Sequence, residues 1–232
     1  MTPDPDTLRN APIIGFTGKA GSGKTLARDW ILTEHRKAVQ MSFARPIKRM
    51  MFELIKEVVP KSHPISPAEY MNDPVLKEQP LNFLGGFTPR RLMQTLGTEW
   101  GRNAVHPDFW VMIAAAKVER LLASGFVNFP DQPLRMVFDD VRFANEAAMI
   151  RAYKGVVVRI VRPDAEKPAD IAAHQSEAMD FPADLTLING GTPDDLYDLL
   201  RAAFPPPPPS PVVRPRSFTS QRALQRTRNA AD

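Results

Sequence analysis

Apolar residues recur in this chain with two spacings. Five short runs, at 13–17, 38–43, 135–138, 156–161 and 185–188, are nearly unbroken in β-branched or bulky residues and do not alternate with polar ones. Strands covered on both faces have that composition, which points to a parallel sheet. The stretches 24–36, 46–58, 89–102, 108–123, 145–153 and 193–204 carry helical periodicity. Strands alternating with helices predict an α/β domain of three layers around a mainly parallel five-stranded sheet, joined by right-handed crossovers.

Two segments break the alternation. The gap between the second and third strand runs is too long for one crossover, and Pro60, Pro64, Pro67, Pro74 and Pro80 interrupt it. A helical substrate-binding insertion, at about 44–123, is expected there. After Phe204 come five consecutive prolines and a polar, arginine-rich end, so 205–232 is read as a polyproline II stretch leading into a disordered tail. Residues 1–11 form an N-terminal extension and 12–204 the folded domain.

Composition narrows the partners. The chain has 232 residues, 43% hydrophobic and 24% charged, an ordinary globular balance. Its formal charge of +4 comes from the tail, where Arg214, Arg216, Arg222, Arg226 and Arg228 face Asp232 alone. The rest is neutral, so no nucleic-acid polymer is expected as a partner. The absence of cysteine removes disulfides, thiolate metal sites and cysteine nucleophiles. No signal-peptide core and no membrane-length apolar run is present, so a cytoplasmic protein is expected. The oligomeric state stays open between monomer and homodimer.

The chemistry begins at Gly18-Lys19-Ala20-Gly21-Ser22-Gly23-Lys24-Thr25, which matches G-x-x-x-x-G-K-[ST]. A strand precedes it and a helix follows, as this phosphate-binding loop requires. Glycine-rich backbone can turn several N–H groups onto one phosphate chain, and the helix N-terminus adds partial positive charge. Lys24 is assigned to the β- and γ-phosphates of ATP and the Thr25 hydroxyl to Mg²⁺, with Gly18, Ala20, Gly21, Ser22 and Gly23 lining the donor site.

Further along, Thr88-Pro89 reads as a helix start, and Arg90 and Arg91 in its first turn oppose the helix dipole. That conflict suggests a bound anion. Arg91, Gln94, Thr98 and Arg102 would share one polar stripe of this helix. The run ending at Asp139-Asp140 places acids where sheet topology gathers ligands, and either could hold the metal through water. Arg142 and Glu146, four apart, form a plain helix ion pair or line the cleft. Arg159 and Arg162 end the fourth strand, and a short lid at about 162–180 would carry arginine charge onto the transferring group. Asn189-Gly190-Gly191 is an ordinary turn or an adenine platform.

With these residues in view, the chain resembles the phage-type deoxynucleoside monophosphate kinases of the P-loop kinase superfamily. The matching stretches are 14–25, Ser42-Phe43-Ala44-Arg45-Pro46-Ile47-Lys48, 90–102 with its Leu96-Gly97-Thr98-Glu99 core, 140–146, and His174 to Glu177. The resemblance implies a P-loop kinase fold and transfer of the γ-phosphoryl group of ATP to a deoxynucleoside monophosphate. It further implies an acceptor pocket built from Arg90, Arg91, Trp110, Asp140, Arg142 and Glu146; Lys48 and Gln94 are assigned to the same pocket, and Arg142 and Arg162 are assigned beside Lys24 to the transferring phosphoryl. Trp110 is either a base-stacking ring or, by its apolar neighbours, a core residue. Asp139 is taken for the metal. The rival readings are a kinase of another small acceptor, such as the dephospho-coenzyme A kinases, and a non-enzymatic nucleotide switch.

Overall fold

The computed structural model describes residues 4–35, 37–60, 62–124, 134–163 and 179–206. Its strands are β1 (Ile13–Thr17), β2 (Ala38–Met41), β3 (Arg135–Phe138), β4 (Val156–Val161) and β5 (Leu185–Ile188). All pairings are parallel, in the order β2-β3-β1-β4-β5. Gly15 pairs with Phe138 and Phe138 with Met41, so β2 and β3 end level and β1 runs two residues beyond them at the same carboxyl edge. Ligands gather at such an edge in open α/β sheets.

The helices are α1 (Pro5–Asn10), α2 (Lys24–Glu34), α3 (Arg45–Val58), α4 (Glu69–Asn72), α5 (Pro89–Gln94), α6 (Phe109–Ala123), α7 (Ala144–Ala152) and α8 (Pro193–Ala203). One face of the sheet is covered by Leu8 of α1, Ala27, Trp30 and Ile31 of α2, and Leu196 and Leu200 of α8. The other is covered by Ala114 and Val118 of α6 and Ala147 and Ile150 of α7. These are the three layers expected from the strand pattern. A third cluster, built on Met51 and Ile55 of α3 with Tyr70, Met71 and Leu81, gives the 44–123 insertion its own core. Among the described residues no helix is long and apolar enough to cross a membrane.

Residues 1–11 do more than extend the chain. Pro5 starts α1 at a position where proline costs no hydrogen bond, and Leu8 is buried in the core cluster that includes Phe204. The lid at 162–180 and the tail fall almost wholly outside the described residues; Arg162, at the end of β4, is exposed.

His35 closes α2 in a buried position, where Arg135 lies close enough to act on its charge. Burial first and the Arg135 charge second push its pKa down to about 4, against a hydrogen bond with the Phe204 backbone. The folded pKa lies below the unfolded 6.5, so the neutral ring stabilises the fold and that contribution fades as pH falls from 6.5 toward 4. Between pH 7 and pH 5 this group is expected to cost about 2 kcal/mol of stability. Urea unfolding at the two pH values checks it, and His35→Phe should shrink the difference.

Candidate active site

β1 ends in the loop 18–23, whose shape depends on two glycines. Gly18 has φ +140° and a Cβ there would lie 2.2 Å from the Ile160 carbonyl oxygen; Gly23 has φ +106° and a Cβ would lie 2.6 Å from Asn189 Nδ2. Neither position admits a side chain. Asn189, buried after β5, donates from Nδ2 to the Ser22 carbonyl at 2.8 Å. It therefore clamps the loop, a role that neither the turn nor the adenine-platform reading foresaw. Lys24 Nζ donates to the carbonyls of Gly18 and Lys19, both at 2.6 Å. Thr17 Oγ1 and Ser22 Oγ, at the two ends of this loop, are buried without a partner among the described residues. Buried hydroxyls left this way mark a place built for further polar company.

A cavity of about 310 Å³ opens at the carboxyl ends of β2 and β3 and reaches under α3, α5 and α6. Its walls carry Arg28, Lys48, Lys77, Arg90 and Arg142. Lys48 Nζ donates to Asn72 Oδ1 at 2.7 Å, and Arg90 pairs with Glu78 at 2.5 Å. Burial lowers the pKa of Lys48, against the pull of Asp140 and Asp139. Burial and then the Arg90 charge lower that of Lys77. So many cations in one concavity repel one another, and the repulsion is relieved by a multiply charged anion.

The acids divide into two kinds. Asp140 is fully engaged: its carboxylate accepts from Ser42 Oγ at 2.7 Å, Phe43 N at 3.2 Å and Ala44 N at 2.8 Å. It thereby holds the loop before α3, whose N-terminus favours a negative charge. Glu146 is likewise engaged, with Oε1 accepting from Arg102 at 2.5 Å and Oε2 from the backbone N–H of Arg142 at 2.7 Å and of Phe143 at 3.1 Å. Burial pushes its pKa up, against those N–H groups and Arg102. Of the two readings of Arg142 and Glu146, the plain helix pair does not apply, because Arg142 precedes α7; both residues line the cavity, and Glu146 binds the Arg142 backbone N–H. Asp139 differs. Its carboxylate pairs with Arg28, and burial raises its pKa while Arg28 pulls it down.

Three further residues sit otherwise than their motifs suggest. Arg91 is exposed, with its guanidinium 5.2 Å over the Phe87 ring, and it does not line the cavity. Trp110 does line it but is only 2% exposed, and its indole N–H donates to the Gly97 carbonyl at 2.7 Å. A ring so enclosed, packed on Phe109 at 4.8 Å and Trp100 at 6.0 Å, is a wall and offers no open stacking face. The third is Arg102, counted in the sequence only as part of a polar stripe. It is buried, bonded to Glu146, and covers the Phe143 ring at 3.8 Å.

The helix after Gln94 explains these shifts. Residues Thr95–Val105 form a π-helix, and His106 N closes it on Gly101 O at 3.0 Å. Such i→i+5 segments put more residues in each turn and recur at functional sites. The widening lets Gln94, Thr98 and Arg102 face the cavity together while Arg91, in the α-helical turn before them, points away. At Gly101 a Cβ would sit 2.5 Å from Trp110 Nε1. Gly101→Ala gains about 1 kcal/mol of helix propensity, but overpacking costs roughly 1–3 kcal/mol. A net loss of urea stability is expected, with a change in tryptophan fluorescence.

The sheet order and the glycine loop opening α2, with a cationic cavity beside it, are those of a three-layer α/β fold of the P-loop kinase kind. A sequence model of the deoxynucleotide monophosphate kinase family matches residues 66–200, more than half of the chain, and the chain belongs to that family. Its activity is phosphoryl transfer to a deoxynucleoside monophosphate. A protein of Acanthamoeba polyphaga mimivirus, provisionally named a deoxynucleotide monophosphate kinase, is 27% identical over 195 residues, covering 80% of this chain and 92% of that one. The deoxynucleoside-5'-monophosphate kinase of Escherichia phage T5 is 34% identical over 92 residues, 38% of this chain and 32% of that one. Family membership separates this chain from the two rival readings. The match begins well after the phosphate loop, so the donor side stands on the motif and its geometry.

Proposed function

We propose that the chain transfers the γ-phosphoryl group of magnesium-bound ATP to the 5′-phosphate of a deoxynucleoside monophosphate, releasing ADP and the diphosphate. The observation that carries this reading is the continuity of α2. It opens at the phosphate loop with Lys24 and, one turn on, lines the cavity with Arg28.

An acceptor phosphate is itself the nucleophile. With a second pKa near 6 it is already a dianion at neutral pH, so no general base is needed. Its oxygen forms the new bond to the γ-phosphorus, the bond to the β,γ-bridging oxygen breaks, and the electron pair stays on ADP. Catalysis is then alignment and charge neutralisation. Lys24 exchanges the carbonyls of Gly18 and Lys19 for β- and γ-phosphate oxygens. Lys48, Arg90 and Arg142 hold the acceptor phosphate, and Gln94, whose amide both donates and accepts, faces the base. Arg162 reaches the transferring group from the end of β4. Magnesium, when bound, neutralises developing charge on the β- and γ-oxygens. Its donor set would be the Thr25 hydroxyl and, through water, Asp139. Oxygen donors beside phosphate suit this hard cation, and the buried, unpartnered hydroxyls of Thr17 and Ser22 at the two ends of the phosphate loop support a polar ligand there. Asp140 and Glu146, with their oxygens engaged, keep the frame rigid.

ADP release measured with and without each of a panel of ribo- and deoxynucleoside monophosphates tests the reading. Acceptor-dependent release with the deoxy series is expected. Release that ignores the acceptor would mean a hydrolase or switch instead.

A further inference from the structure

Phosphoryl transfer brings two phosphates, each with more than one negative charge, to within about 3–3.5 Å of each other. A cation lying between them must offset the repulsion. Lys24 and Arg28 are four apart on α2, so they stand on one face, about 6 Å apart along the axis. Lys24 belongs to the phosphate loop; Arg28 lines the acceptor cavity. The face they share runs from one phosphate site to the other.

Two carboxylates hold Arg28. Nε and Nη2 donate to Asp29 Oδ1 at 2.9 and 2.8 Å, and Nη1 donates to Asp139. The Asp29 side chain is 55% exposed, so that contact is weak, whereas the Asp139 side chain is 14% exposed. Asp139 is also the carboxylate that the reading above gives to the donor's magnesium. It cannot give its full charge to the metal's water shell and to a guanidinium together. Asp140 and Glu146 are already engaged and offer Arg28 no replacement.

We propose that Arg28 couples the two sites: it rests on Asp139 until magnesium-bound ATP draws on that carboxylate, and then turns into the cavity to bind the acceptor's phosphate. This rests on Asp139 serving the metal. Donor binding thereby tightens acceptor binding, and by linkage the reverse also holds.

Calorimetric titration of a deoxynucleoside monophosphate into the full chain, alone and with magnesium plus a non-hydrolysable ATP analogue, tests the coupling. The wild type is expected to bind the acceptor about tenfold tighter with the analogue, the order that one charge-assisted hydrogen bond supports. Arg28→Ala should lose that enhancement whatever its analogue-free affinity, and Arg28→Lys should retain a smaller enhancement. Analogue without magnesium should give the wild type none. The coupling is overturned by a wild type without enhancement, by enhancement that persists without magnesium, or by an Arg28→Ala variant that keeps it or weakens the acceptor equally in both conditions. Should Arg28→Ala not fold, the magnesium arm and Arg28→Lys decide. An acceptor that binds in neither condition overturns the functional reading itself, which separates that failure from this one.

Discussion

Lys24→Ala is expected to lower kcat at least about a thousandfold, roughly 4 kcal/mol of transition-state stabilisation, while the melting temperature stays almost unchanged. The two halves of this prediction have different physical sources. In the fold the ammonium bonds to two carbonyls of its own loop, at 2.6 Å each, and water can take over such partly exposed groups at little cost. The loop's shape comes from the backbone angles of Gly18 and Gly23 and from the Asn189 clamp, which do not depend on the lysine side chain. During transfer, by contrast, no nucleophile or base shares the work, so a preorganised charge at the β- and γ-phosphates is a large part of the catalysis. Lys24→Arg should restore little, because a planar guanidinium cannot replace a compact ammonium. Steady-state ADP release and thermal unfolding on the same samples check both halves. A kcat within tenfold of wild type would refute the assignment.

The parts of this protein that could be read from the sequence are those where one physical constraint acts locally. Unbroken apolar runs gave β1, β3, β4 and β5 to the residue, since strands covered on both faces admit little else. β2 ends at Met41, two residues before its apolar run does, because Ser42 and Phe43 turn aside to meet Asp140. The phosphate loop was legible because glycine is needed at fixed points. The acceptor side depends on long-range pairing, which spacing does not show. Asp140 and Glu146 have the composition of ligands, yet their oxygens are taken up by backbone N–H groups and by Arg102, forty-four positions away in sequence from Glu146. Arg91 was drawn into the pocket by α-helical phasing that fails once Thr95–Val105 widens into a π-helix. Arg28, Lys77 and Gln40 line the cavity without belonging to a motif. For Arg28 a signal existed, its position one turn beyond the motif lysine on the same helix face.

Glu146→Gln is expected to cost about 3–5 kcal/mol of stability, because it leaves the buried Arg102 guanidinium without its counter-charge. For a domain of this size that is a fall in melting temperature of roughly 10 °C. The carboxylate side chain is 3% exposed and that of Arg102 10%, so water cannot replace the lost partner. The amide keeps one acceptor oxygen, which can serve Arg102 or the Arg142 and Phe143 N–H groups but not both, so the loop that carries Arg142 to the acceptor is held less firmly. Activity should therefore fall along with stability. Replacing both partners, as Arg102→Met with Glu146→Leu, removes the uncompensated charge and should recover most of the lost stability. It should not recover activity, since the carboxylate that binds the Arg142 backbone N–H is gone. That split distinguishes a positioning role from direct contact with the acceptor. If Glu146 instead touched the acceptor, Glu146→Gln would raise KM with little change in melting temperature, and the double variant would melt no higher than the single one.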